Sequence, residues 1–174
     1  NGSKVQFEYE FNNEENKIVI LLNTYLDFPF YANQIVDSSI WKEMLSKEKY
    51  HQIYEYAVSI LKRKDVSSFL LKEKLDKKFP SSKRIIKDVI IELECKNLIN
   101  DNNLIEQHLK KGLNNFKGLE KLKYELLNQG IDENEILPKI TDDFLDIEKD
   151  KAYILATKQM RLSKNLEFKK MRDK

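Results

Sequence analysis

A chain of 174 residues, 41% hydrophobic and 34% charged, can bury one sizeable core or a row of smaller ones under a charge-laced surface. Four glycines and three prolines are too few for a turn-rich β-sandwich, and no stretch reaches the ~18 to 20 apolar residues that a membrane-crossing helix needs. The lone Cys95 cannot staple the fold internally and reads as a half-buried small residue; with no signal-peptide zoning at the N-terminus, a reducing cytoplasm is the expected setting.

The opening residues read as strands. Val5, Phe7, Tyr9 and Phe11 alternate with Gln6, Glu8 and Glu10, which predicts a half-buried strand with one face in water. Residues 12–16 are a polar turn, residues 17–23 a second strand, and residues 25–31 a third short strand kept at an edge by Pro29. Such a two- or three-stranded meander is marginal by itself and is expected to pack on a helix.

From Asp37 the period becomes helical. Asp37 is an N-cap for a helix with Ile40, Trp41, Met44 and Leu45 on its apolar stripe; a longer helix follows with Ile53, Tyr54, Ala57, Ile60 and Leu61. Residues 65–68 cap a helix over 69–79, with Leu70, Leu71, Leu75 and Phe79 inward. Pro80 precedes another helix over 83–96, with Ile85, Ile86, Val89, Ile90 and Leu93 inward. The plan then repeats: a helix around Leu104, Ile105, His108 and Leu109, a break at 114–118, and a helix over 119–128 ended by Gly130. Asp132 caps a third helix with Ile136, Leu137, Ile140 and Phe144, in which Pro138 occupies the first turn.

At an offset of about 51 residues, Leu71, Leu75, Ile85, Ile86 and Val89 fall on Leu122, Leu126, Ile136, Leu137 and Ile140, which marks a tandem helical array. The predicted fold is mainly α: tandem three-helix repeats in an elongated, gently curved array, preceded by a small β-strand meander packed on a helix. The boundaries are residues 4–45 for the β-containing module, 46–101 for the first repeat and 102–146 for the second. Residues 147–174 form an incomplete third repeat ending in a basic helix.

Few residues carry the patterns of catalysis or metal binding. His51 and His108 are isolated, and Asp142, Asp143 and Asp146 read as a solvated face rather than a metal site. There is no glycine-rich phosphate loop and no nucleophile elbow. The chain is therefore expected to be no enzyme and to need no cofactor. Its aromatics Tyr9, Phe28, Phe30, Trp41 and Tyr56 read as core packing, while Tyr31 and Tyr50 are less committed.

Charge is more informative. The net charge is only +2, yet residues 62–87 carry +7, 110–129 carry +3 and 151–174 carry +6, with acidic stretches between them. The first block holds Arg63, Lys64, Lys72, Lys74, Lys77 and Lys78; the second Lys110, Lys111, Lys117, Lys121 and Lys123; the third Lys158, Arg161 and Lys164. A single charge run is usually a solvated helix face. Three runs spaced like the repeats predict stripes suited to an elongated polyanion or an acidic groove. Without an aromatic platform of the single-strand-binding kind, recognition of bare single- or double-stranded DNA is expected to be weak and nonspecific.

Several stretches carry a resemblance. Tyr54-x-x-Ala57-x-x-x-Leu61-x-Arg63, the run Ser67 to Leu75, and Lys96-Asn97-Leu98-Ile99-Asn100-Asp101 are similar to the first repeat and junction of the RecX family, with Asn97 where that family usually has glycine. Lys117-Gly118-Leu119-x-x-Leu122-x-x-Glu125-Leu126-x-x-Gln129-Gly130-Ile131 resembles the second repeat, and Glu148-x-x-x-Ala152-x-x-Leu155-x-x-Lys158 the start of a third. The resemblance covers residues 50–165. It implies a cytoplasmic, monomeric regulator that lies in the groove of a RecA recombinase–DNA filament and inhibits recombinase, ATPase and co-protease activity. Arg63, Lys72, Lys74, Lys121 and Lys123 are the expected electrostatic contacts. The rival readings are a nonspecific nucleic-acid-binding helical module and a helical scaffold for another acidic protein.

Overall fold

The computed structural model describes residues 3–172, with side chains described as far as Ser163. The chain is mainly helical, with a two-stranded antiparallel sheet at the N-terminus. It divides into two compact units, Asn1–Ile99 and Asn100–Lys174.

In the first unit, β1 (Lys4–Phe11) and β2 (Glu14–Leu21) form a hairpin in which Phe11 pairs with Glu14. The turn is only Asn12 and Asn13, both at positive φ (52° and 62°), the geometry that suits the right-handed twist of the flanking strands. Residues 14–16, expected in the turn, are thus part of β2. The alternation places Val5, Phe7, Tyr9, Ile18 and Ile20 on the inner face, but Phe11, expected there, is exposed where the strand ends at the turn. On the inner face Phe7 meets Tyr25 and Phe30, and Tyr9 meets Trp41 at 4.7 Å between ring centroids.

The third strand expected over residues 25–31 does not form. Instead α1 (Leu22–Asp27) follows directly, and residues 28–37 are irregular. The cause is tertiary: Glu48 is buried, and its Oε2 accepts from the Leu21 amide (2.9 Å) and the Thr24 hydroxyl (2.7 Å), which holds the entry into α1.

The two helices expected between residues 37 and 61 are one, α2 (Ser38–Leu61), since no glycine or proline interrupts the run. Asp37 caps it by accepting from the Ser39 amide at 2.7 Å. Next, α3 (Ser68–Lys78) is capped by Ser67, and α4 (Lys83–Cys95) ends at Asn97, whose φ of 54° uses the tolerance of asparagine for a left-handed residue. Ile53, Ala57, Leu71, Leu75, Ile86, Val89 and Leu93 make the buried core. Cys95 is exposed rather than half-buried.

In the second unit, α5 (Asp101–Asn114) packs on α6 (Leu119–Leu127) around Ile105, Leu109, Leu113, Leu122 and Leu126. Gly130 (φ 75°) follows α6 as the left-handed residue its sequence position suggests. The third helix is much shorter than its pattern predicts: α7 (Glu133–Ile136) is one turn, continued by a 3-10 turn, Leu137–Lys139. Pro138 lies in that turn, and the chain re-enters a helix only at α8 (Asp142–Arg172), which takes Phe144 with it. Leu137, expected inside, is 49% exposed, whereas Ile136 is fully buried. The internal register of the repeats therefore slips by one residue after α6: Ile86 has its buried counterpart in Ile136.

Candidate anion-binding cleft

Residues spaced three and four apart share a helix face, and two such faces meet in the first unit. The last turns of α2 present Tyr56 and Ile60, continued past the helix end by Arg63 and Lys64. The inward turn of Leu71 and Leu75 leaves Lys74, Lys77 and Lys78 together on a flank of α3. Between them lies a cleft of about 500 Å³ lined by these residues and Val66.

Five cations thus surround one hollow. Lys77 pairs with Glu73 at 2.9 Å; Arg63, Lys64, Lys74 and Lys78 have no ion pair among the described residues. Lys77 and Lys78 stand in the last turn of α3, where the carbonyl end of the helix dipole offsets part of their repulsion. That does not account for Lys74 in the preceding turn, nor for Arg63 and Lys64. Tyr56 is not a core residue as its pattern suggests. It is 36% exposed on the cleft wall, held edge-on against Phe79 with centroids 5.8 Å apart. Its hydroxyl makes no hydrogen bond among the described residues.

The other expected contact residues fall differently. Lys72 is exposed on α3 but does not line the cleft. In the second unit Lys110, Lys111 and Lys121 are exposed, and Lys111 donates to Gln107 Oε1 at 3.1 Å. Lys117 and Lys123 are engaged internally. Lys123 Nζ lies 2.5 Å from Glu133, whose carboxylate holds the lysine above its ordinary pKa. Lys117 donates to both oxygens of Glu125 (2.8 and 2.9 Å). Nor is His108 isolated, since its Nε2 is 2.9 Å from Glu125 Oε2. The hydrogen bond from Lys117, helped by His108, keeps Glu125 below the usual carboxylate range against the opposing effect of desolvation. His51, also read as isolated, lies 3.1 Å from Asp27. No local spacing signals these pairs, because their members come from different elements. Lys158 and Arg161 are exposed on α8, and the side chain of Lys164 lies outside the described residues.

No three His, Cys, Asp or Glu side chains among the described residues come together as metal ligands, and no described helix is long and apolar enough to cross a membrane. The chemistry on offer is electrostatic recognition in a concave, partly apolar site.

No family model matches the chain. Over 144 residues it is 32% identical to regulatory protein RecX of Clostridioides difficile (strain 630), an alignment covering 82% of this chain and 66% of that protein. The chain belongs to the RecX family. A second RecX, from Clostridium perfringens (strain 13 / Type A), is 28% identical over 138 residues, covering 79% of this chain and 64% of the relative. The chain thus spans just under two thirds of the length of these two relatives. The RecX fold is matched as well: a crystal structure of regulatory protein RecX superposes with a TM-score of 0.67 at 16% identity, covering 92% of this chain and 78% of the other. That likeness carries the fold alone. The open cationic cleft is thus a feature of a RecX-family helical unit.

Proposed function

We propose that this RecX-family chain is a non-enzymatic regulator that binds in the groove of RecA–DNA filaments and lowers their recombinase, ATPase and co-protease activity. The observation that carries this reading is the cleft of the first unit, where Arg63, Lys64, Lys74 and Lys78 gather without ion-pair partners. Like charges held together at a concave surface are stabilised by an anionic partner, and a protein–DNA filament carries DNA phosphates. The relatives, themselves named regulatory proteins, support the reading. In this proposal residues 4–45 are a β-containing module, and residues 46–101, 102–146 and 147–174 are successive repeats. Several modest contacts along such an array sum to a tight complex. The protein acts as a cytoplasmic monomer.

RecA's single-strand-dependent ATPase, titrated with this chain, tests the proposal. Inhibition well below one chain per RecA subunit is expected, and it should weaken when Arg63 and Lys74 are both changed to Glu. No inhibition at stoichiometric amounts sinks the reading. Tight DNA binding without any effect on RecA would favour a nonspecific nucleic-acid-binding module instead.

A further inference from the structure

The repeats themselves show that the cation cluster is not required by the fold. α3 and α6 correspond at an offset of 51: their N-caps are Ser67 and Gly118, and their buried leucines are Leu71 with Leu75 and Leu122 with Leu126. In that register Lys74, Lys77 and Lys78 correspond to Glu125, Asn128 and Gln129. The second unit thus places a carboxylate where the first has Lys74, and satisfies it locally with an ion pair to Lys117 and a hydrogen-bond contact to His108. The same helix corner is stable with its charges satisfied. The first unit instead keeps four unpaired cations around an open cleft.

We infer that this cleft is a binding site for consecutive backbone phosphates of single-stranded nucleic acid, with Tyr56 as the surface on which one base stacks. It is the cleft on which the proposed function rests, given a ligand of its own. Four of the five cations are lysines, point charges suited to phosphates spaced along a flexible strand, rather than a set of arginine forks matched to carboxylates. A hollow of about 500 Å³ takes one or two nucleotides, whereas a duplex presents a wide convex backbone that such a hollow cannot surround. Phe79 fixes the Tyr56 ring from one side, leaving its exposed part and its unbonded hydroxyl to the cleft. Ile60 and Val66 provide an apolar floor under the sugar.

The test uses the full chain and a short fluorescein-labelled oligothymidylate, with anisotropy followed across a salt series. The triple variant Lys74→Glu, Lys77→Asn and Lys78→Gln gives the first unit the side chains of the second. Lys4→Glu with Lys42→Glu makes the same change in net charge at exposed positions away from the cleft and from every expected contact, and circular dichroism checks that both fold. The triple variant should lose roughly ten-fold or more in affinity, with the salt slope reduced by about two, since each single-strand phosphate contributes ~0.7. The control should lose less than about three-fold. Tyr56→Leu should lose roughly five-fold or more at an unchanged salt slope, because stacking releases no counterions.

Equal losses in the triple and control variants would reduce the site to a diffuse field and overturn the assignment. So would an unaltered Tyr56→Leu, or displacement by polyglutamate as effective as by unlabelled oligothymidylate, which would make the cleft an acidic-peptide site. RecA ATPase inhibition followed in parallel separates the two proposals. Inhibition that survives when the oligonucleotide results fail leaves the regulator and removes this ligand. Cleft-dependent oligonucleotide binding without inhibition does the reverse.

Discussion

Glu148 and Lys151, one turn apart on α8, close opposite helix ends at a single corner of the second unit. Glu148 Oε1 accepts from the Leu119 amide at 2.7 Å, at the start of α6, where Gly118 has no side chain to cap with. Lys151 Nζ donates to the Leu113 carbonyl at 2.7 Å and to Asn114 Oδ1 at 3.0 Å, at the end of α5, and stands 5.5 Å from the Phe116 ring centroid. An anion at an N-terminus and a cation at a C-terminus both complement the helix dipoles, so two side chains dock α8 through the polarity of its neighbours. Removing the cap by Glu148→Ala should cost about 1 kcal/mol in urea unfolding. Adding Gly118→Asp to that variant should restore most of it, because the extended backbone at Gly118 (φ −72°, ψ 151°) suits a capping side chain. A double variant no more stable than the single would disprove the capping role.

Gly112 of α5 lies directly against the Leu122 side chain of α6. A Cβ there would fall 2.1 Å from Leu122 Cδ2 and 2.7 Å from Cδ1, and Leu122 is fully buried with little room to turn. Gly112→Ala should therefore destabilise by about 1 to 3 kcal/mol despite its better helix propensity. Leu122→Ala alone should cost roughly 2 to 5 kcal/mol, and the double variant clearly less than the sum, since the added methyl occupies part of the vacated space. Strict additivity in chemical denaturation would contradict the packing.

Glu48 joins three elements by accepting from the Leu21 amide, the Thr24 hydroxyl and Gln52 Nε2, the last at 2.7 Å. Glu48→Ala leaves buried donors without an acceptor and should cost about 2 to 3 kcal/mol. The damage should be local. Hydrogen exchange is expected to rise first at Leu21 and through α1, with the amides around Leu71 and Leu93 still protected; uniform loss of protection would show that the hairpin is not separately held.

Glu125 gives a pH dependence of known sign. Its folded pKa lies below the ordinary value of 4.5, chiefly through the hydrogen bond from Lys117, so its contribution is present above that value and is lost as pH falls through the folded pKa. Glu125→Gln should lower the melting temperature at neutral pH, with the difference from the parent shrinking as pH falls below the ordinary carboxylate range. A difference that stays constant down to acid pH would rule out the ion pair as its source.

Much of this molecule is local and was readable as such. The helical period over 69–79 and 119–128, the caps at Asp37, Ser67 and Asp132, the left-handed Gly130 and the family motif around Asn97 each depend on residues within a turn of one another. So does the alternation of β1. The family resemblance drew on these same segments, and the recurrence of leucines 51 residues apart exposed the repeat because α3 and α6 bury the same face.

Long-range contact decided the rest. Residues 22–27 have strand-like composition and become helical because Glu48, more than twenty residues away, holds their first turn. The helix forecast over residues 136–144 shrank to one turn because Pro138 and the entry into α8 end it, leaving Leu137 outside. Lysines that look alike in sequence diverge for the same reason: Lys117 and Lys123 meet carboxylates brought in by folding, while Lys74 and Lys78 meet other cations across a cleft. Periodicity tells which face of an element turns inward. Charge pairing depends on distances of a few ångströms between elements, and only the tertiary structure sets those.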